Sequence, residues 1–145
     1  MLRGSIAPLA WVVKSILIAA GNYASGLVDL KRFQEAKALV RKMMPVARRV
    51  LGKSDETTLR MRAIYARALC EDPAATLDDF REAVTTLEDA APTARRVLGG
   101  AHPTTGGLER ELQAARAALR ACKGAAPGDV SSICEKVGAM NMRDG

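Results

Sequence analysis

Few residues in this chain have the chemistry for catalysis. The single histidine, His102, precedes Pro103. Cys70, Cys122 and Cys134 are widely spaced, and Asp78–Asp79 and Glu88–Asp89 are adjacent acids. A catalytic site needs an acid, base, nucleophile or metal held by convergent partners. One histidine has no second imidazole to share a metal, and the cysteines lack ligand spacing. The pairs Gly99–Gly100 and Gly106–Gly107 lack the lysine and strand context of a phosphate loop. The paired acids fall on a predicted helix and read as solvated charge. His102 reads as a turn or cap residue. The expectation is a chain that is no enzyme and has no metal or cofactor. Three cysteines with no pairing pattern fit a reducing compartment, so the expected location is cytoplasmic.

Arginine and lysine are the more abundant chemistry. Residues 1–70 carry 13 Lys/Arg against 4 Asp/Glu, and residues 71–145 carry 9 against 12. A basic first half suggests an acidic partner surface. Nucleic acid is the weaker reading: aromatics are 3% of the chain, leaving little to stack on bases, and no reader motif is present.

The elements that position these groups are helical. Ala, Leu, Val and Arg are abundant, and Ala, Leu and Arg enter helices at little cost. The stretch ARRVLG occurs at Ala47–Gly52 and again at Ala94–Gly99. Aligned outward from it, Phe33–Thr58 lies over Phe80–Thr105 with 12 of 26 positions identical. Upstream, Tyr23, Ala24 and Leu27 meet Tyr65, Ala66 and Leu69 at an offset of 42 instead of 47. The difference is an insertion around Cys70–Asp79. A period in the forties with this composition indicates helical repeats.

Each copy reads as two helices. The first, A, spans about Ser15–Val28 and Thr57–Cys70, with Ser15, Thr57 and Thr104 as N-caps. The second, B, spans about Lys31–Leu51 and Thr76–Leu98. Asp72–Pro73 is an alternative start for the second B helix, and Thr76 with Asp79 resembles a capping box. Gly52 and Gly99 close the B helices, Arg48–Arg49 and Arg95–Arg96 suit their dipoles, and the Val and Leu of ARRVLG are expected to pack. Pro45 and Pro92 should kink the B helices or split them. A third A helix, about Thr104–Ala121, aligns Leu108, Leu112, Ala115 and Leu119.

This pattern resembles the tetratricopeptide repeat, in the longer form found in kinesin light chains. Ala24 and Ala66 match the small helix-A position, flanked by the large Tyr23/Tyr65 and Leu27/Leu69. Phe33-Gln-Glu-Ala36 and Phe80-Arg-Glu-Ala83 match the helix-B opening. Leu98-Gly-Gly-Ala-His102-Pro103-Thr-Thr105 matches the turn between units, whereas the first copy has Asp55-Glu56 in place of His-Pro. The resemblance covers about residues 15–121 and implies an all-α, short right-handed α-solenoid of antiparallel helix pairs, about two and a half units. These are 15–56, 57–103 and the half unit 104–121.

The resemblance also implies a scaffold for protein–protein interaction. A peptide or partner segment would bind in a concave groove lined by the A helices. Carried over by position, Asn22, Ser25, Val28, Arg60, Arg67 and Cys70 face that groove, and Arg116 continues the row. Arg60 and Arg67, two turns apart, would meet an acidic or mixed peptide. Solenoids usually need about three units. The alternatives are therefore a self-associating repeat, stacked basic half to acidic half, or a fragment of a longer array.

The apolar run LAWVVKSILIAAG is interrupted by Lys14 and reads as too short for a membrane span. It could mimic a signal peptide. Its repeat register instead makes SILIAAGN the first A helix, with Trp11, Val12 and Val13 in segment 1–14 folding over it as a makeshift cap. Residues 122–145 read as a mostly disordered tail with a short helix around Ser132–Ala139.

Overall fold

The structure, a computed structural model, describes residues 3–124, with side chains from 9 to 123. These residues form five helices: α1 (Arg3–Asp29), α2 (Phe33–Val50), α3 (Glu56–Glu71), α4 (Leu77–Leu98) and α5 (Pro103–Gly124). No strand occurs among the described residues. Successive helices pack on one another, and α3 also touches α1 and α5, so it contacts all four others. α1, α3 and α5 thus form a row, with α2 and α4 on its other side. The predicted tail and its short helix lie outside the described residues beyond Gly124.

Periodicity explains which faces are buried. On α2, Phe33, Ala36, Val40 and Ala47 are buried; on α4, Phe80, Ala83, Leu87 and Ala94 take the same places 47 residues on. These positions recur on one face of a helix. Full burial of Phe80 or Leu87 contributes about 1.5–3 kcal/mol each. The central α3 is buried over most of its surface, because all four other helices touch it, and the side of Arg60 and Arg67 stays open. The small Ala24 and Ala66 are fully buried, with Leu27 and Leu69 beside them.

The helix ends correct several expectations. Ser15 is no N-cap: α1 runs through it, and its Oγ donates to the Trp11 carbonyl one turn back at 3.1 Å. Apolar periodicity continues upstream, so nothing stops the helix there. Trp11 and Val12 consequently lie on α1, exposed, and do not fold over as a cap; Val13 packs beside Leu17, Ala47 and Met61. Leu9–Asp29 is long and apolar enough to cross a membrane by length and composition, which the interruption by Lys14 had argued against.

Thr57 and Thr104 are not the caps either. Asp55 is, its Oδ1 accepting from the Thr57 amide at 2.8 Å. At the equivalent place 47 residues on, His102 Nδ1 accepts from the Thr104 amide at 3.1 Å. The turn where the copies differ most in sequence thus keeps the same cap with different chemistry. Both accept a bond that an orphan helix amide requires. Thr58 and Thr105 sit fully buried one residue later.

Lys31 does not start α2. It holds φ 63° in a turn where its amide donates to the Val28 carbonyl and the Arg32 amide to Leu27. That pair of bonds is a Schellman closure of α1, with Lys31 at the left-handed position where glycine is usual. For α4, Thr76 and Asp79 form a complete capping box. Asp72 is therefore no N-cap. It ends α3, accepts from the Ala74 amide at 2.9 Å, and holds a buried ion pair with Lys37 at 3.1 Å and a bond from Gln34 at 3.0 Å.

Both prolines lie inside unbroken helices, at exposed positions where water can satisfy the carbonyl that each ring leaves without a partner. Gly52 and Gly99 take positive φ of 87° and 91°. In ARRVLG the two leucines pack, but Val50 and Val97 are 39% and 50% exposed, because their helix positions turn outward.

Candidate functional site

A groove of about 1150 Å³ runs along the α1–α3–α5 side. α1 contributes Ser25, and α3 contributes Arg60, Ile64, Arg67 and Glu71. α5 contributes Arg110, Glu111 and Ala114, and His102 stands at one end with Glu56. Residues 60, 64, 67 and 71 on α3 recur every three or four positions, so one side of that helix faces the opening. Small residues on the flanking helix, including Gly107 and Ala114, leave the space open.

Three of the sequence-expected groove residues, Ser25, Arg60 and Arg67, line it together. The other four do not. Val28 and Cys70 are each 2% exposed in the core, because a step of three residues from Ser25 and Arg67 turns inward against α2 and α4. Asn22 is exposed on α1 and does not line the groove. Arg116 points toward α4, where its Nη2 donates to Glu88 at 3.2 Å. Subtracting 47 explains this: Arg116 takes the place of buried Leu69, whereas Ala114 takes that of Arg67.

Tyr23 also departs from the expected core position. It is 62% exposed, whereas Tyr65 is 9% exposed. Tyr65 is enclosed by α2 and α4, with its hydroxyl donating to Glu82 and accepting from Arg41 Nε at 3.0 Å. No described element covers Tyr23 in that way.

The groove is electrically mixed. Arg67 Nε donates to Glu71 at 2.9 Å, and its Nη2 reaches Asp29 on α1 at 3.1 Å. Burial opposes charge on Arg67, but Glu71 and Asp29 outweigh it and hold its pKa above the ordinary arginine value. Arg60 and Arg110 make no ion pair among the described residues. Glu111 lies half-buried beside Glu71; burial and then that like charge push its carboxyl up to about 7, against the pull of Arg67 and Arg110. His102, in the α4–α5 turn, approaches Glu56 at the start of α3 at 3.8 Å. Sequence reasoning missed Glu71, Arg110 and Glu111. The 47-residue offset, carried past Thr105, would have placed Arg110 and Glu111 over Ala63 and Ile64 of α3.

Among the described residues no three His, Cys, Asp or Glu side chains gather to hold a metal. The groove offers hydrogen-bond donors and acceptors, two unpaired guanidiniums and an apolar floor at Ile64 and Ala114.

Comparison with known families bears on this arrangement. Residues 17–56 match the tetratricopeptide repeat model. The matched segment holds the second half of α1, all of α2 and the turn into α3. The second pair, α3–α4, repeats its sequence at most of the buried positions, among them Ala24/Ala66, Leu27/Leu69, Phe33/Phe80 and Ala36/Ala83. The first pair is therefore similar to a tetratricopeptide-type repeat, a unit that generally serves protein–protein interaction. No curated protein and no solved structure matches the chain.

Proposed function

We propose that the chain is a non-catalytic interaction module that binds an extended or helical peptide in the α1–α3–α5 groove. On this reading the helix pairs form a short right-handed solenoid of the kinesin-light-chain kind, working in the cytoplasm. The observation that carries it is the groove itself: α3 turns Arg60, Ile64, Arg67 and Glu71 into one opening flanked by small residues of α5. A peptide with mixed charge suits it best. Acidic side chains would meet Arg60 and Arg110, while Glu111 and Glu71 would accept from donors of the peptide. Arg67 is already held by Glu71 and Asp29 and serves more to shape the wall.

Panning a displayed random-peptide library against the full chain tests the proposal. Peptides carrying acidic residues should be enriched, and Arg60→Glu/Arg110→Glu should weaken them about tenfold or more at low salt. Failure to enrich any peptide, or undiminished binding by the variant, overturns it.

A second reading, self-association, is favoured by α1. Leu9, Val12, Ile16 and Tyr23 are 62%, 47%, 53% and 62% exposed and fall on one stripe of the helix.

A further inference from the structure

On the opposite side of the molecule a second cavity, of about 670 Å³, opens between α2, α3 and α4. Arginine dominates its wall: Arg41, Arg48 and Arg49 from α2 and Arg62 from α3, with Glu82 the one acid among the lining residues. Helix-dipole complementarity accounts for Arg48 and Arg49 at the end of α2, but not for the two further arginines turned to the same space.

Two observations make this wall a candidate to receive an anion beyond Asp89, which pairs Arg62 and lies within the field of Arg48. The first is Arg62. It is 5% exposed, its Nη1 is tied to Asp89 at 2.8 Å, and its buried Nε has no hydrogen-bond partner. A buried charge with an idle donor is costly unless something completes its bonding. The second comes from the repeat. In the second copy Arg95 is held by Glu109 of α5 through two bonds, Nε to Oε1 at 2.8 Å and Nη2 to Oε2 at 3.2 Å. Forty-seven residues earlier, Arg95 becomes Arg48 and Glu109 becomes Arg62. The first copy therefore carries an arginine where the second carries the carboxylate. Neither Arg48 nor Arg49 has an ion pair among the described residues.

We propose that this cavity is a binding site for a small organic anion, a phosphate or carboxylate joined to an apolar group. The ligand's anion takes the role that Glu109 plays in the second copy, neutralising Arg48 and Arg49 beside the Arg62–Asp89 pair. Forked guanidiniums suit the paired oxygens of either anion. Its apolar portion lies along Val40, Met44 and Pro45, and Tyr65 and Thr86 belong to the same wall. The volume is that of a small-molecule site, too small for a long peptide. The site is separate from the groove on the α1–α3–α5 side, so it stands whether or not a peptide binds there.

Calorimetric titration of the full chain with phenyl phosphate, benzoate and inorganic phosphate at low ionic strength tests this. Phenyl phosphate or benzoate should bind saturably at one site and more tightly than inorganic phosphate; which of the two is tighter tells phosphate from carboxylate. Arg48→Gln/Arg49→Gln, both exposed and so tolerated by the fold, should weaken that binding at least about tenfold. Arg60→Gln/Arg110→Gln removes the same charge from the other groove and should change it less than about twofold. Arg62→Glu, which writes the second copy's carboxylate into the first, should abolish binding, with circular dichroism confirming that the helices remain. Absence of saturable binding by all three probes, inorganic phosphate binding as tightly as the aromatic anions, or equal loss in the two double variants, overturns the proposal.

Discussion

At the scale of single residues, Glu111 is the most sensitive group in the groove. Its carboxyl ionises at about 7 in the folded chain against an ordinary 4.5, first because it is buried and then because Glu71 is near. A carboxyl with a raised pKa holds its proton in the folded state after the unfolded chain has released it. Its contribution to stability is therefore unpenalised below about pH 4.5, declines as pH rises through the window to about 7, and reaches its full cost above that. Glu111→Gln removes the charge and keeps the shape. The variant should equal the parent near pH 4.5 and exceed it at pH 8 by on the order of 2 kcal/mol. Urea melts across that range check this; a difference that does not grow with pH overturns it. Little of this was legible in the sequence. Glutamate on a helix reads as solvated charge, and only the packing of α5 on α3 brings Glu111 beside Glu71. The same limit hid the Lys37–Asp72 pair, whose members are 35 residues apart. Ser25, Arg60 and Arg67 were legible because the repeat fixed their register to buried alanines. Val28 and Cys70 were misplaced by one step of three residues, enough to turn a side chain from groove to core.

At the scale of elements, the sequence located the B helices and α3 to within about two residues, and missed the start of α1, at Arg3 and not Ser15. Glycine explains the B helices: Gly52 and Gly99 hold positive φ just beyond the helices they end. The capping box at Thr76 was equally readable, since both its members lie in one four-residue window. At α3 and α5 the starts were found to within one residue but the capping residue was not, because its role depends on geometry. Asp55 and His102 share no chemistry in an alignment, yet each accepts an amide bond from the residue two places on. The α1–α2 turn shows the converse. No glycine marks it, and Lys31 takes the left-handed conformation instead, at φ 63°. A side chain there costs roughly 1 kcal/mol that glycine avoids. Lys31 is exposed and makes no ion pair among the described residues. Lys31→Gly should therefore raise the melting free energy by up to about 1 kcal/mol, less the entropy that glycine adds to the unfolded chain. Thermal melting followed by circular dichroism measures it. A loss above about 1 kcal/mol would mean that the Lys31 side chain holds the turn.

At the scale of the whole molecule, the repeat assigns unequal surroundings to equal helices. α3 touches all four other helices and exposes little outside the groove; α1 stands at one end of the described row and exposes the stripe Leu9, Val12, Ile16 and Tyr23. The structural equivalence of Tyr23 and Tyr65 makes the contrast direct, since the same position is enclosed in one helix and open in the other. Stacking of a second copy on α1 would cover the stripe and extend the row, which is the natural growth direction of helical repeats. Two mechanisms of association can then be separated. Contact through the apolar stripe is insensitive to salt, whereas contact of the basic first half with the acidic second half weakens as salt screens it. The exposed stripe favours the first. Light scattering after size exclusion should show mass rising with protein concentration and holding from low to high salt, and Val12→Glu/Ile16→Glu should return the chain to a monomer without loss of helix. A wild-type chain that stays monomeric at every concentration rejects self-association. Dissociation by salt alone assigns it instead to the charged halves.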